Sequence, residues 1–145
     1  MTMPLFSQTQ GRGVVGLTTA ETLATVTGLA VAASPARIAA LRVKTKNPGT
    51  LITWNHVQAL GTDAITVRSA DDIQSEDDTK PRADKQHDPL GKRVLTETGQ
   101  DIGTLQDIEF DATTGHIQRL ILAGQHIAGE RLLGAGSYAV IVAAP

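Results

Sequence analysis

Residues 102–122, IGTLQDIEFDATTGHIQRLIL, and residues 23–43, LATVTGLAVAASPARIAALRV, set one apolar pattern twice in the same chain. Ile102, Leu105, Ile108 and Phe110 stand opposite Leu23, Val26, Leu29 and Val31. Ile117, Leu120 and Leu122 stand opposite Ile38, Leu41 and Val43, and all seven pairs share a constant offset of 79. Further on the offset falls to 75, pairing Gly61 with Gly136, Ala64 with Ala139 and Val67 with Val142. The later copy is therefore shorter by that difference, most simply in the connection around residues 47–57. A fixed offset across so many apolar positions marks an internal duplication.

Each copy reads as strands. In residues 105–111, Ile108 and Phe110 alternate with Asp107, Glu109 and Asp111, a period of two. Thr114 and Gly115 supply a turn, and 117–122 returns as the next strand. The first copy turns at Ser34-Pro35, between 29–31 and 38–46. Asn47-Pro48-Gly49 is a further turn signal, since Pro presets φ and Gly accepts the left-handed position. Trp54, Val57 and Leu60 are spaced like one face of a short helix ended by Gly61. Residues 64–67 and 139–142 close the two copies as final strands.

Composition agrees with this reading. Thr, Val and Ile number 18, 10 and 10 of the 145 residues, and such stiff branched side chains favour strands. Aromatics are 3%, so aliphatic residues must fill the core. Residues 69–87 are acidic and polar with a single strong apolar residue, Ile73, and read as a flexible linker. The expected organisation is a first repeat over 1–68, the linker over 69–87 and a second repeat over 88–145. Halves this small hold marginal cores alone, so they are expected to pack as a pseudo-dimer.

The residues Asp88-Pro89-Leu90-Gly91-Lys92, Thr98-Gly99, Ile102-Gly103 and Asp107-Ile108 through Gly115 resemble the PRC-barrel family of small β-barrels. The first copy keeps the closing pattern Leu51-Ile52-Thr53-Trp54, Val57, Ala59-Leu60-Gly61 and Asp63-Ala64-Ile65. It departs where Ala20 and Ala24 stand opposite Gly99 and Gly103, which predicts local remodelling of the first turn. The resemblance implies an all-β protein of two PRC-barrel-like β-barrels without an enzymatic site. It implies a non-catalytic module for protein binding or assembly. The alternative is association with the ribosome or RNA, as in the family's maturation-factor member.

The charged groups are sorted by their chemistry. The formal net charge is −2, unlike the basic excess of dedicated nucleic-acid binders. There is no cysteine, which excludes disulfides and thiolate zinc sites. His56, His87, His116 and His126 form no metal-ligand pair, and no GxSxG elbow is present. Gly11, Gly13 and Gly16 fit GxGxxG only formally, because they neither follow a strand nor open a helix.

Arg42, Lys44 and Lys46 alternate along one predicted strand, so they form the candidate partner-binding ridge; edge protection is the competing reading. Asp107, Glu109 and Asp111 make a matching acidic stripe, but one flat strand does not supply the converging oxygens a divalent cation needs. Trp54 reads as a packing residue, in the core or between copies. No catalytic residue, metal or cofactor is expected. The apolar runs are too short to span a membrane and no signal peptide is read, so the expected location is cytoplasmic, with homodimerisation left open.

Overall fold

The computed structural model describes residues 3–45, 50–75, 82 and 84–145. After a one-turn helix, α1 (Phe6–Thr9), the first half runs β1 (Gly13–Gly16), β2 (Thr22–Ala32), β3 (Arg37–Lys44), β4 (Leu51–Thr53), β5 (Val57–Leu60) and β6 (Ile65–Val67). The second runs β7 (Arg93–Thr96), β8 (Asp101–Phe110), β9 (Ile117–Leu122), β10 (Gln125–Ala128), β11 (Leu132–Ala135) and β12 (Ala139–Val142). Each half is one six-stranded sheet, ordered β4-β3-β2-β1-β6-β5 and β10-β9-β8-β7-β12-β11. The protein is all-β, with two barrel-like halves of one topology. In each half the first and last strands pair in parallel, and the other pairs are antiparallel.

The register repeats as well as the order. Leu29 pairs with Leu41 and Val31 with Ile38; at the equivalent positions of the second half, Ile108 pairs with Leu120 and Phe110 with Ile117. The bulges recur too, at Val26/Gly28 and Ala30/Val31 in β2 and at Leu105/Asp107 and Glu109/Phe110 in β8. Five of the seven apolar pairs read from sequence are buried in both members. Leu23 and Ile102 are partly buried against the core, and Val31 is partly buried where Phe110 is fully enclosed. At the end, β4 and β10 already hold the offset of 75, since Leu41 pairs with Ile52 and Leu120 with Ile127. The missing residues therefore belong to the hairpin after β3, residues 45–50, against Ala123 and Gly124 after β9. The turn expected at Asn47-Pro48-Gly49 lies outside the described residues.

The first turn is remodelled by one residue. Ala20 N donates to Gly16 O, whereas Gly99 N donates to Thr96 O, so the β1–β2 turn is longer by one. Ala20 nonetheless keeps the left-handed conformation of its counterpart, at φ 57° against 87° for Gly99.

Residues 54–60 differ from expectation. They form a single 3-10 turn, Trp54–His56, that runs directly into β5. A bulge at Gln58 in the β5–β6 pairing accounts for the spacing. It places Val57 and Leu60 on one face of a strand although they are three apart, and both pack against the core. The start of 69–87 is docked on the first half, whereas Arg82, Lys85 and Gln86 are exposed. Residues 70–72 form a 3-10 turn, Ile73 packs on the core, and Gln74 exchanges both backbone hydrogen bonds with Leu51 on the outer edge of β4.

One apolar core serves both halves. Buried residues from β1, β2, β3 and β6 join those from β7, β8, β9 and β12 in a single cluster that also holds Phe6. Phe6 is fully enclosed, and burial of such a side chain contributes about 2–3 kcal/mol. The segment around it also crosses to the other half: Leu5 bridges Glu109, and Phe110 N donates to Pro4 O. The halves are thus packed as a pseudo-dimer.

Candidate interaction surface

Arg42 leaves the predicted ridge. Its side chain is 19% exposed and its Nη2 lies 3.2 Å from Asp88 Oδ2, at the entry to the second half. Nη2 also donates to Thr27 O at 2.8 Å and Nε to Thr27 Oγ1 at 3.1 Å. Space for this pair comes from Gly28, paired with Arg42 across the sheet. A Cβ on Gly28 would collide with Asp88 Oδ2 and stand 2.5 Å from Arg42 Cζ. Arg42 is therefore a clasp between halves. Lys44 is exposed at the end of β3, and Lys46 lies outside the described residues.

The acidic stripe is occupied by structural contacts. Asp107 accepts from the Ser7 backbone and hydroxyl. Asp107 holds in β8 the position that Gly28 holds in β2, so a carboxylate stands here where the first half has the glycine that makes room for the clasp. Glu109 lies 3.6 Å from Arg119. Asp111 accepts from Thr113 N at 2.7 Å and Thr114 N at 3.0 Å, which holds its carboxyl below the usual carboxylate range. Among the described residues no cluster of His, Asp and Glu is arranged to hold a metal.

The open surface lies along the seam between the halves. One groove of about 310 Å³ is walled by Ala30, Val31, Ala32 and Ala39 of the first half and Ala135 of the second, with Arg37, Arg82 and His87 at its rim. Arg37 and Ala39 also line a second groove of about 360 Å³ that reaches Trp54. Trp54 in turn borders a third, of about 260 Å³, along β5. Shared lining residues set the three grooves side by side along the seam, Arg37 and Ala39 between the first two and Trp54 between the second and third, and together they are termed the trough.

Trp54 sets its shape. The indole crosses to the second half, where its ring stands edge-on to Phe110 at 6.3 Å and against Gly115, whose Cβ would come within 2.7 Å of it. The two-fold counterparts of Trp54 and Phe110 are Gly129 and Val31, much smaller residues, and Val31 lines the first groove. The groove opens where the copies diverged.

Charge at the rim is unevenly balanced. Arg37 Nη1 donates to Ala33 O and Pro35 O, and no carboxylate among the described residues pairs with it. His87 Nδ1 is 2.5 Å from Asp84 Oδ1, and Arg82 is 3.8 Å from the same carboxyl. Desolvation pushes the Asp84 carboxyl up, but His87 and Arg82 outweigh it and hold the group below its ordinary range. Elsewhere Tyr138 is 67% exposed with the Arg93 guanidinium 5.3 Å from its ring centre, an isolated patch. Sequence reading missed the trough because its walls come from separate segments.

Residues 81–140 match the family model of the PRC-barrel domain. The match spans β7 to β11 and the start of β12. No curated protein matches the chain. No helix among the described residues is long and apolar enough to cross a membrane.

Proposed function

We propose that the chain is a non-catalytic binding and assembly module made of two PRC-barrel-like halves, and that it grips another protein along the trough at their seam. The observation that carries this is the trough itself. It is open, walled by small side chains, and bordered by Trp54 and by arginines, residue types enriched where partners bind. The fold supports a rigid two-half platform, since one core joins the halves and holds the walls in place.

The alternative, ribosome or RNA association through Arg42, Lys44 and Lys46, has less support, because Asp88 engages the Arg42 guanidinium. Affinity capture from native lysate, with and without nuclease, distinguishes the two. A partner that survives nuclease and is lost in Ala39→Trp, which fills the trough, supports the proposal. Nuclease-sensitive recovery that Ala39→Trp leaves unchanged supports the alternative.

A further inference from the structure

We infer that the trough takes an extended acidic segment of a partner protein, with its carboxylates at Arg37 and Arg82 and an apolar side chain against Trp54. This rests on the trough being the partner-binding face. The first argument is charge complementarity. Among the described residues, Arg37, Arg82 and His87 face one carboxylate, Asp84, which leaves an excess of positive charge among those groups. Arg37 is partly buried, and its carbonyl contacts fix Nη1 in place without neutralising it. A guanidinium held rigid and partly desolvated is preorganised for a carboxylate.

The second argument is comparison within the molecule. The two-fold counterparts of Arg37 and His87 are His116 and Ser7, and Ser7 is engaged by Asp107. The groove along β5 is walled by neutral residues such as Gln58, Leu60 and Thr113. The fold itself therefore does not require cations at this place in each half. The walls also select the class of partner. Alanines and Trp54 suit aliphatic peptide side chains. Among the described residues that line the grooves, the cations are Arg37, Arg82 and His87, and Trp54 is the aromatic ring on which a base could stack.

Fluorescence anisotropy with the full chain tests this. The probes are a short labelled peptide with glutamates flanking a leucine, its glutamine counterpart, and an oligouridine RNA. The glutamate peptide is expected to bind about tenfold tighter than the glutamine peptide, and Arg37→Ala to remove about that factor. Binding should also weaken as salt rises. Because Arg37 anchors two carbonyls, Arg82→Ala is measured beside it, with denaturation midpoints showing that both variants fold. Arg82 is exposed and its guanidinium lies 3.8 Å from Asp84.

Equal binding of the two peptides, unchanged affinity in both folded variants, or preference for the RNA overturns the inference. Failure here is distinct from failure of the functional reading. A captured partner lost in Ala39→Trp but retained in Arg37→Ala and Arg82→Ala overturns the acidic segment alone. A partner retained in Ala39→Trp overturns the trough.

Discussion

Ile38 and Ile117 make the same hydrogen bond in opposite directions across the seam. Ile38 N donates to Gly115 O at 2.8 Å, and Ile117 N donates to Ala36 O at 3.0 Å. Both donors and both acceptors are equivalent positions of the two copies, so one chain contains an isologous contact of the kind that joins identical subunits. The contact places the tip of each β-hairpin on the other half. The trough walls are assembled from both sides of that contact, so the candidate surface depends on the pairing of the halves.

The clasp separates structural from surface cations. Arg42→Ala would strand Asp88, which is 8% exposed, and is expected to cost about 3 kcal/mol. Lys44→Ala, on the same strand but exposed, should stay within about 0.5 kcal/mol of wild type. Gly28→Ala should resemble Arg42→Ala, because its Cβ occupies the space of the pair. Urea denaturation of the three variants checks the order.

Ala20 carries strain that its counterpart does not. A left-handed alanine costs about 1–2 kcal/mol, of which the greater freedom of unfolded glycine returns part. Ala20→Gly is therefore expected to raise the denaturation midpoint, by about 0.5–1 kcal/mol in stability. Gly99→Ala should lower it. Loss of stability in Ala20→Gly would show that the first turn tolerates its alanine freely.

What sequence shows of this molecule follows alternation and spacing. Leu29, Leu41, Ile108 and Leu120 are legible because a buried face repeats at a fixed offset. Residues 54–60 imitate a helix because the bulge at Gln58 turns a strand's period of two into a spacing of three. Arg42 reads as a surface cation because alternation along a strand is silent about Asp88, which arrives from the other half. Gly28 was the available signal, since glycine inside a strand marks close approach by another group. The trough residues Arg37, Arg82 and His87 carry no such mark, as only the two-fold packing brings them together.

Acid should loosen the β8–β9 turn through Asp111. Hydrogen bonds from Thr114 N and then Thr113 N favour the ionised carboxyl and lower its folded pKa. The stabilisation is complete above the unfolded carboxylate value and is lost as pH falls through the folded one. Asp111→Asn keeps an acceptor for the turn but cannot titrate there. Its stability should therefore fall less steeply than wild type on acidification, measured by thermal melts across the carboxylate range. Parallel curves for the two proteins would remove Asp111 from the acid response.

The two outer edge strands should differ in amide protection. Leu51 N, on β4, donates to Gln74 O at 3.0 Å, and Leu51 is fully buried. His126 is its counterpart on β10, the last strand of the second sheet, and it is exposed. No described residue pairs with β10 on its outer side. Hydrogen exchange should thus be slow at Leu51 and fast at His126, while Ile127, buried on the same strand, lies between them. Gln74→Pro removes the N–H that Leu51 O accepts, and it should speed exchange at Leu51 without altering His126. Equal protection at Leu51 and His126 in the wild-type protein would mean that β10 is covered in solution and that its edge is already engaged.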